Sequence, residues 1–180
     1  AEKYQCVVIV LSDEYNAATI YSVDADAFDL QGVRIDRGKL LSPAEVEALA
    51  EYKRYALTAD GVSPRAIPGS SPKAVYMTTS DEHTEDGHIT EDPDVATAHA
   101  EKRLRKLEAA RADIRPPLKY GPQGAELTFV SWGSSYGPVR EAVDILNAGG
   151  QSANMVHFVD LWPFPAVAAR EALGGAKRIV

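Results

Sequence analysis

Seven residues near the middle of the chain, Glu82-His83-Thr84-Glu85-Asp86-Gly87-His88, gather two imidazoles and three carboxylates in one loop. Imidazole with carboxylate is a ligand mixture that suits zinc or a harder cation. The spacing matches no defined metal motif, and the HExxH pattern of metalloproteases is absent. No metal ligand is therefore assigned. Glu82, His83, Glu85 and His88 are instead candidates for a loop that meets substrate or a subunit interface. The plainer alternative is a polar boundary loop whose histidines are bonded by the surrounding acids.

A second set is Gly133, Ser134 and Ser135, within Gly133-Ser134-Ser135-Tyr136-Gly137. It falls between an apolar run and a helical pattern, where backbone N–H groups and the helix dipole favour an anion. These three residues are anion-binding candidates, with a tight strand-to-helix turn as the alternative. Neither a GxGxxG dinucleotide fingerprint nor a P-loop is present.

His157 lies in an apolar run and reads as a satisfied core histidine, and Cys6 in another apolar run is a poor nucleophile. There is no GxSxG elbow. No catalytic set assembles from residue types alone.

The elements that must position these residues are legible in part. Leu127–Trp132, then Val139, Ala142, Val143 and Leu146 at i, i+3, i+4 and i+7, then Ala153–Val159, predict strand, helix and strand. Such a βαβ unit implies a parallel sheet. Ser42-Pro43-Ala44-Glu45 predicts a capping box, and Ser12-Asp13 an N-cap. Asp92-Pro93 opens a helix to about Asp113, with an apolar stripe of Ala100, Leu104, Leu107 and Ile114 and basic residues on its other faces. Those bases are expected to be solvated or to pair with the acidic loop, where Ser80–Asp94 holds seven carboxylates and no Lys or Arg. Cys6–Leu11 reads as a buried parallel strand, Ala74–Met77 as a short strand-like piece, and Arg178-Ile179-Val180 as the start of a strand. The absence of an initial Met, with apolar runs at both ends, reads as a piece of a longer polypeptide.

Composition narrows the partners. The 180 residues carry a formal net charge of −7, which disfavours nucleic acid and anionic membranes. One cysteine excludes a disulfide framework and an all-cysteine iron–sulfur site, and suits a reducing cytoplasm. No apolar run reaches the roughly 20 residues that span a bilayer.

Several stretches, in order, resemble one family. They include Ala1-Glu2-Lys3-Tyr4-Gln5, Tyr52-Lys53-Arg54-Tyr55, Asp60-Gly61-Val62-Ser63-Pro64-Arg65, Gly87-His88-Ile89-Thr90-Glu91-Asp92, Pro117-Leu118-Lys119-Tyr120-Gly121, Val130-Ser131-Trp132-Gly133-Ser134 and His157-Phe158-Val159-Asp160-Leu161-Trp162-Pro163-Phe164-Pro165. Together they resemble the C-terminal part of the alpha subunit of 2-oxoacid:ferredoxin oxidoreductases, especially the 2-oxoglutarate type. The resemblance implies oxidative decarboxylation of a 2-oxoacid to an acyl-CoA, with electrons passed to ferredoxin. It implies thiamine diphosphate, Mg and an iron–sulfur cluster in the full complex, none of them on this chain alone, and a beta subunit as partner.

For the fold, the resemblance implies a parallel-sheet, transketolase-C-terminal-like three-layer α/β domain over 94–180. The tail of a pyrimidine-type thiamine domain over 1–58 and a crossing segment over 59–93 would precede it. The family's Tyr-Pro-Ile-Thr-Pro substrate motif is missing, so no catalytic residue is carried over. A stand-alone anion- or nucleotide-binding α/β module and a structural subunit-assembly domain remain the alternatives.

Overall fold

A computed structural model describes residues 1–180. The chain divides into two compact units that interleave along the sequence: Ala1–Val8 with Asp29–Ala110, and Ile9–Phe28 with Arg111–Val180.

The second unit contains the predicted βαβ element. Strand β2 (Leu127–Trp132) leads through a 3₁₀ turn (Gly133–Ser135) into helix α4 (Tyr136–Ala148) and strand β3 (Ala153–Phe158). Strands β2 and β3 pair in parallel, from Leu127 opposite Ala153 to Trp132 opposite Phe158. Strand β3 is central, because the short β1 (Leu118–Tyr120) pairs antiparallel on its other edge. The sheet is thus mixed rather than wholly parallel. Strand β1 has three residues and follows Pro116-Pro117, too little alternation to announce itself in the sequence.

Alternation along β3 builds two hydrophobic layers. On one face Ala153 and Met155 pack with Val143 of α4 and with Leu127, Phe129 and Leu146. On the other, Val156 and Phe158 pack with Ala169 of helix α5 (Ala166–Leu173). A strand covered on both faces must be apolar at nearly every position, which is why this one reads as a continuous run. The three-layer α/β arrangement follows directly. The chain's last residues flank β2: the Thr128 N–H donates to the Arg178 carbonyl at 2.8 Å, and the Val180 N–H to the Thr128 carbonyl at 3.0 Å.

Helix α1 (Glu14–Ala18) starts as predicted, with the Asp13 carboxylate accepting the Asn16 N–H. The strand expected at Cys6–Leu11 does not form. Val7 and Val10 are each 86% exposed, because no segment of this chain offers the backbone ladder that would pair and cover them.

The first unit is largely irregular. Helix α2 (Pro43–Ala48) has the predicted capping box: the Ser42 N–H donates to Glu45 Oε2 at 2.7 Å, and the Glu45 N–H to Ser42 Oγ at 3.3 Å. Val46 of this helix packs with Tyr52, Ala66 and Ala74 in a small core, where the Tyr52 hydroxyl accepts the Ala66 N–H at 2.9 Å. Ala74–Met77 is not a strand.

Helix α3 (Pro93–Ala110) opens at Asp92, whose carboxylate accepts the Asp94 N–H at 2.9 Å. Its orientation reverses the expected stripe. Leu104 is 63% exposed and Ala100 is exposed, whereas His99 and Lys102 are buried at 2% and 4% exposure. The helix packs on irregular chain whose backbone carbonyls need donors, and polar side chains supply them where leucines cannot. Lys102 Nζ donates to the Tyr55 carbonyl at 2.7 Å, and Lys106 Nζ to the Gln5 carbonyl at 3.3 Å.

Candidate functional site

The acidic loop folds back on itself within the first unit. The Thr84 N–H donates to the His88 carbonyl at 2.8 Å, the Gly87 N–H to the Thr84 carbonyl at 3.0 Å, and the Thr90 N–H to the Glu82 carbonyl at 3.0 Å. Gly87 makes the bend possible. Its φ is +96°, and a Cβ there would stand 2.1 Å from the Met77 carbonyl oxygen.

Each of the four loop candidates has a distinct anchor. Glu82 takes a bidentate pair of hydrogen bonds from Arg103 of α3, at 2.9 and 2.8 Å. That guanidinium lowers the Glu82 pKa, and Arg103 pairs with the loop as expected of the helix bases, whereas Lys102 and Lys106 turn to backbone carbonyls instead. Glu85 accepts the Leu57 N–H at 2.7 Å and Lys53 Nζ at 3.3 Å, and the backbone bond is the main cause of its lowered pKa. His88 Nδ1 meets Asp86 Oδ2 at 2.9 Å. Asp86 is brought down to about 2, chiefly by the Thr84 hydroxyl it accepts and then by the His88 N–H.

His83 lies between two rings, 4.0 Å from Tyr55 and 5.0 Å from His99, centroid to centroid. Its Nδ1 is 2.9 Å from the Thr84 carbonyl, so that nitrogen carries the proton. His99 behind it has its pKa lowered, first by burial and next by the Lys102 charge. Its Nε2 is buried with no hydrogen-bond partner.

A pocket of about 670 Å³ opens beside the loop, bordered by Lys53, Glu85, Asp86, His88, Asp94 and His99. Glu85 and His88 thus line it, whereas Glu82 and His83 are engaged with Arg103 and the two rings. No group of three or more His, Cys, Asp or Glu side chains is placed to hold a metal ion.

His99, Lys102 and Tyr55 complete the site, and residue types alone did not single them out. The available signal was the 4-3-4 spacing of Val95, His99, Lys102 and Lys106, a helical face that is apolar only at its start.

The anion-binding candidates lie in the second unit, between β2 and α4. Gly133 turns with φ +65°. The Ser134 hydroxyl donates to the Asp13 carboxylate, and the Ser135 hydroxyl to the Trp132 carbonyl at 2.6 Å. Both hydroxyls are used internally, and a carboxylate stands against the turn.

His157 is buried, sharing a 2.9 Å hydrogen bond with Ser131 and lying edge-on to Tyr136 at 5.1 Å. Burial lowers its pKa, so it sits in the core as a neutral polar pair. Phe164 stacks on Phe158 at 5.5 Å, while Trp162 is exposed.

No protein-family model matches the chain. It is 34% identical over 183 aligned residues to the alpha subunit of 2-oxoacid:ferredoxin oxidoreductase 2 of Aeropyrum pernix, covering 100% of this chain and 27% of that one. It is 33% identical to the alpha subunit of 2-oxoacid:ferredoxin oxidoreductase 1 of Sulfurisphaera tokodaii, covering 100% of this chain and 28% of that one. Over 99 residues it is 37% identical to the 2-oxoglutarate synthase subunit KorA of Archaeoglobus fulgidus, covering 54% of this chain and 27% of that one.

Among solved structures, it matches a 2-oxoglutarate:ferredoxin oxidoreductase from Magnetococcus marinus, determined with 2-oxoglutarate, coenzyme A and succinyl-CoA bound. The TM-score is 0.71 at 29% identity, over 83% of this chain and 25% of that one. The chain is thus a relative of the alpha subunits of 2-oxoacid:ferredoxin oxidoreductases, similar to them from its first residue to its last. It spans about a quarter of the length of the curated relatives it matches, 27% and 28% of the first two. No helix is long and apolar enough to cross a membrane.

Proposed function

We propose that this chain works as part of an alpha subunit of a thiamine-diphosphate-dependent 2-oxoacid:ferredoxin oxidoreductase. The reaction is oxidative decarboxylation of 2-oxoglutarate or a similar 2-oxoacid to its acyl-CoA, with electrons delivered to ferredoxin. The observation that carries this reading is the similarity along the entire chain to subunits of that name, at 34% and 33% identity.

The residues present do not fit the complex's redox and metal groups. A cluster held by thiolates needs several cysteines, and Cys6 is the only one. No metal-ligating cluster of side chains exists either. The family resemblance places thiamine diphosphate, Mg and the iron–sulfur cluster in the full complex, with none of them expected on this chain alone. A cytoplasmic setting accords with a reaction that draws on CoA and ferredoxin. Within the chain, the loop bearing Glu82, His83, Glu85 and His88 is the segment that meets substrate or a neighbouring subunit. The Gly133–Ser135 turn is a scaffold, since the Ser134 hydroxyl is taken by Asp13 and the Ser135 hydroxyl by the Trp132 carbonyl.

The test is 2-oxoacid-dependent reduction of a viologen dye. The isolated chain is expected to give no turnover. The full-length alpha subunit containing this sequence, assembled with its beta subunit and cofactors, is expected to give CoA-dependent turnover. An assembled enzyme inert toward every 2-oxoacid tried, or turnover by the chain alone, would overturn the reading.

A further inference from the structure

The pocket beside the acidic loop has more acceptors than its own residues satisfy. Four carboxylates border it, Glu51, Glu85, Asp86 and Asp94, against the single ammonium of Lys53. Lys53 is already shared between Glu85 at 3.3 Å and Glu51 at 3.8 Å, and Asp86 is committed to Thr84 and His88. The Asp94 carboxylate, in the first turn of α3, makes no hydrogen bond or ion pair. Leu57, Val95 and Ala98 give the same pocket an apolar wall.

A second and independent feature is His99. It lines the pocket, is 2% exposed, and leaves Nε2 without a partner. A buried unpaired polar nitrogen costs about 1–3 kcal/mol. Its lowered pKa keeps the ring neutral, with one ring nitrogen protonated and the other able to accept a hydrogen bond.

We propose that this pocket receives an arginine side chain from a protein partner. A guanidinium offers five donors in a planar fork, enough to bridge carboxylates on the loop and on α3 at once, and its methylenes suit the apolar wall. An ammonium presents fewer donors and holds its water more tightly. A volume of about 670 Å³ exceeds one side chain and leaves space for the backbone of the segment that bears it. The inference rests on the chain's being one subunit among several. It goes further by naming the pocket and the chemistry of what enters it.

The experiment uses the 180-residue chain, isotopically labelled, and follows the His99 imidazole and Val95 methyl resonances. It is titrated with the peptide Gly-Arg-Gly, with Gly-Lys-Gly, with the neutral isostere Gly-citrulline-Gly, and with ethylguanidinium. The arginine peptide is expected to shift both resonances saturably, the lysine peptide more weakly, and the citrulline peptide not at all. Asp94→Asn, which removes a charge that makes no hydrogen bond or ion pair, is expected to weaken arginine binding about threefold, the effect of one exposed ion pair. No saturable shift, or an equal shift with citrulline, would overturn the pocket's assignment. Ethylguanidinium binding as tightly as the peptide would overturn the protein source. None of these outcomes depends on turnover, so they are separable from the failure of the enzymatic reading.

Discussion

His83 and His99 meet edge to face, their ring centroids 5.0 Å apart, where the acidic loop reaches helix α3. One histidine stands in a loop of carboxylates, and the other is sealed beneath it on a helix whose inward face is otherwise basic. This contact, with the Arg103–Glu82 pair beside it, makes a loop and a helix that adjoin in sequence into one electrostatic unit. Burial and then the Lys102 charge lower the His99 pKa, so adding a proton to that ring is disfavoured in the fold.

Stability should therefore fall as pH drops below the ordinary histidine value. His99 has its pKa lowered by burial and then by Lys102 and His83, and His157 has its own lowered by burial. For a base whose folded pKa is depressed, the unfolded chain binds more protons between the folded value and about 6.5. Folding free energy then rises with pH across that window and is lost on the way down. Urea midpoints at pH 7.5, 6.5 and 5.5 should decrease, and His99→Gln should show a shallower decline. An unchanged slope in that variant would assign the titration elsewhere.

Breaking the Arg103–Glu82 pair should cost little stability and much local order. The pair is bidentate but half-exposed, so a double-mutant cycle with Arg103→Ala and Glu82→Ala should return a coupling of about 1 kcal/mol or less. Hydrogen exchange at the Thr84 and Thr90 amides, both bonded within the loop, should accelerate in either single variant. A coupling of several kcal/mol would mean that the pair is structural to the whole unit.

The second unit was far more legible in the sequence than the first, for a physical reason. Val139, Ala142, Val143 and Leu146 announce α4 because a helix packed on a sheet must bury an apolar stripe. The run Ala153–Phe158 announces β3 because both its faces are covered. In the first unit the same rule misleads. Helix α3 packs on irregular chain with backbone carbonyls to satisfy, so Lys102 and His99 point inward while Leu104 faces out. Apolar periodicity carries no trace of that choice. The candidate loop was recognisable from Glu82–His88 alone, but its partners Tyr55, His99 and Lys102 come from segments that only the fold brings together.

Gly87→Ala should destabilise the loop through its backbone. The positive φ of +96° and a Cβ 2.1 Å from the Met77 carbonyl oxygen leave no room for a side chain. The cost should be at least about 1–2 kcal/mol, the penalty of left-handed backbone for an L-residue before any clash is counted. Loss of the hydrogen bond from the Met77 N–H to the Asp86 carbonyl should appear as faster exchange at Met77. A neutral substitution would show that the loop bends elsewhere.

Met155→Ala probes the second unit. Met155 is 1% exposed between Val143 and Phe129, so truncation should cost about 2–5 kcal/mol in urea unfolding. The loop in the first unit should be unaffected, with the Thr84 and Thr90 amides keeping their protection. Co-operative loss of both would contradict the division into two compact units.

Lys102 gives the sharpest pH test, because its hydrogen bond and its charge act in opposite directions. Nζ donates to the Tyr55 carbonyl at 2.7 Å, and burial lowers its pKa to about 8. Lys102→Met keeps the length of the side chain but removes both the donor and the charge. Losing the donor leaves a carbonyl unpaired, a cost of about 1–3 kcal/mol, while losing the charge relieves its desolvation. At pH 7 the two partly cancel, and the variant should be less stable by about 1 kcal/mol. As pH rises from about 8 toward the ordinary lysine value of about 10.4, the native amine sheds its proton in the folded state but still donates through N–H. The wild-type chain therefore gains stability that the variant cannot gain, and the gap between them should widen over that range. Parallel urea titrations at pH 7, 8 and 9.5 measure it directly. A gap that stays constant would mean that Lys102 keeps its charge in solvent, and one that narrows would mean that the charge itself stabilises the helix.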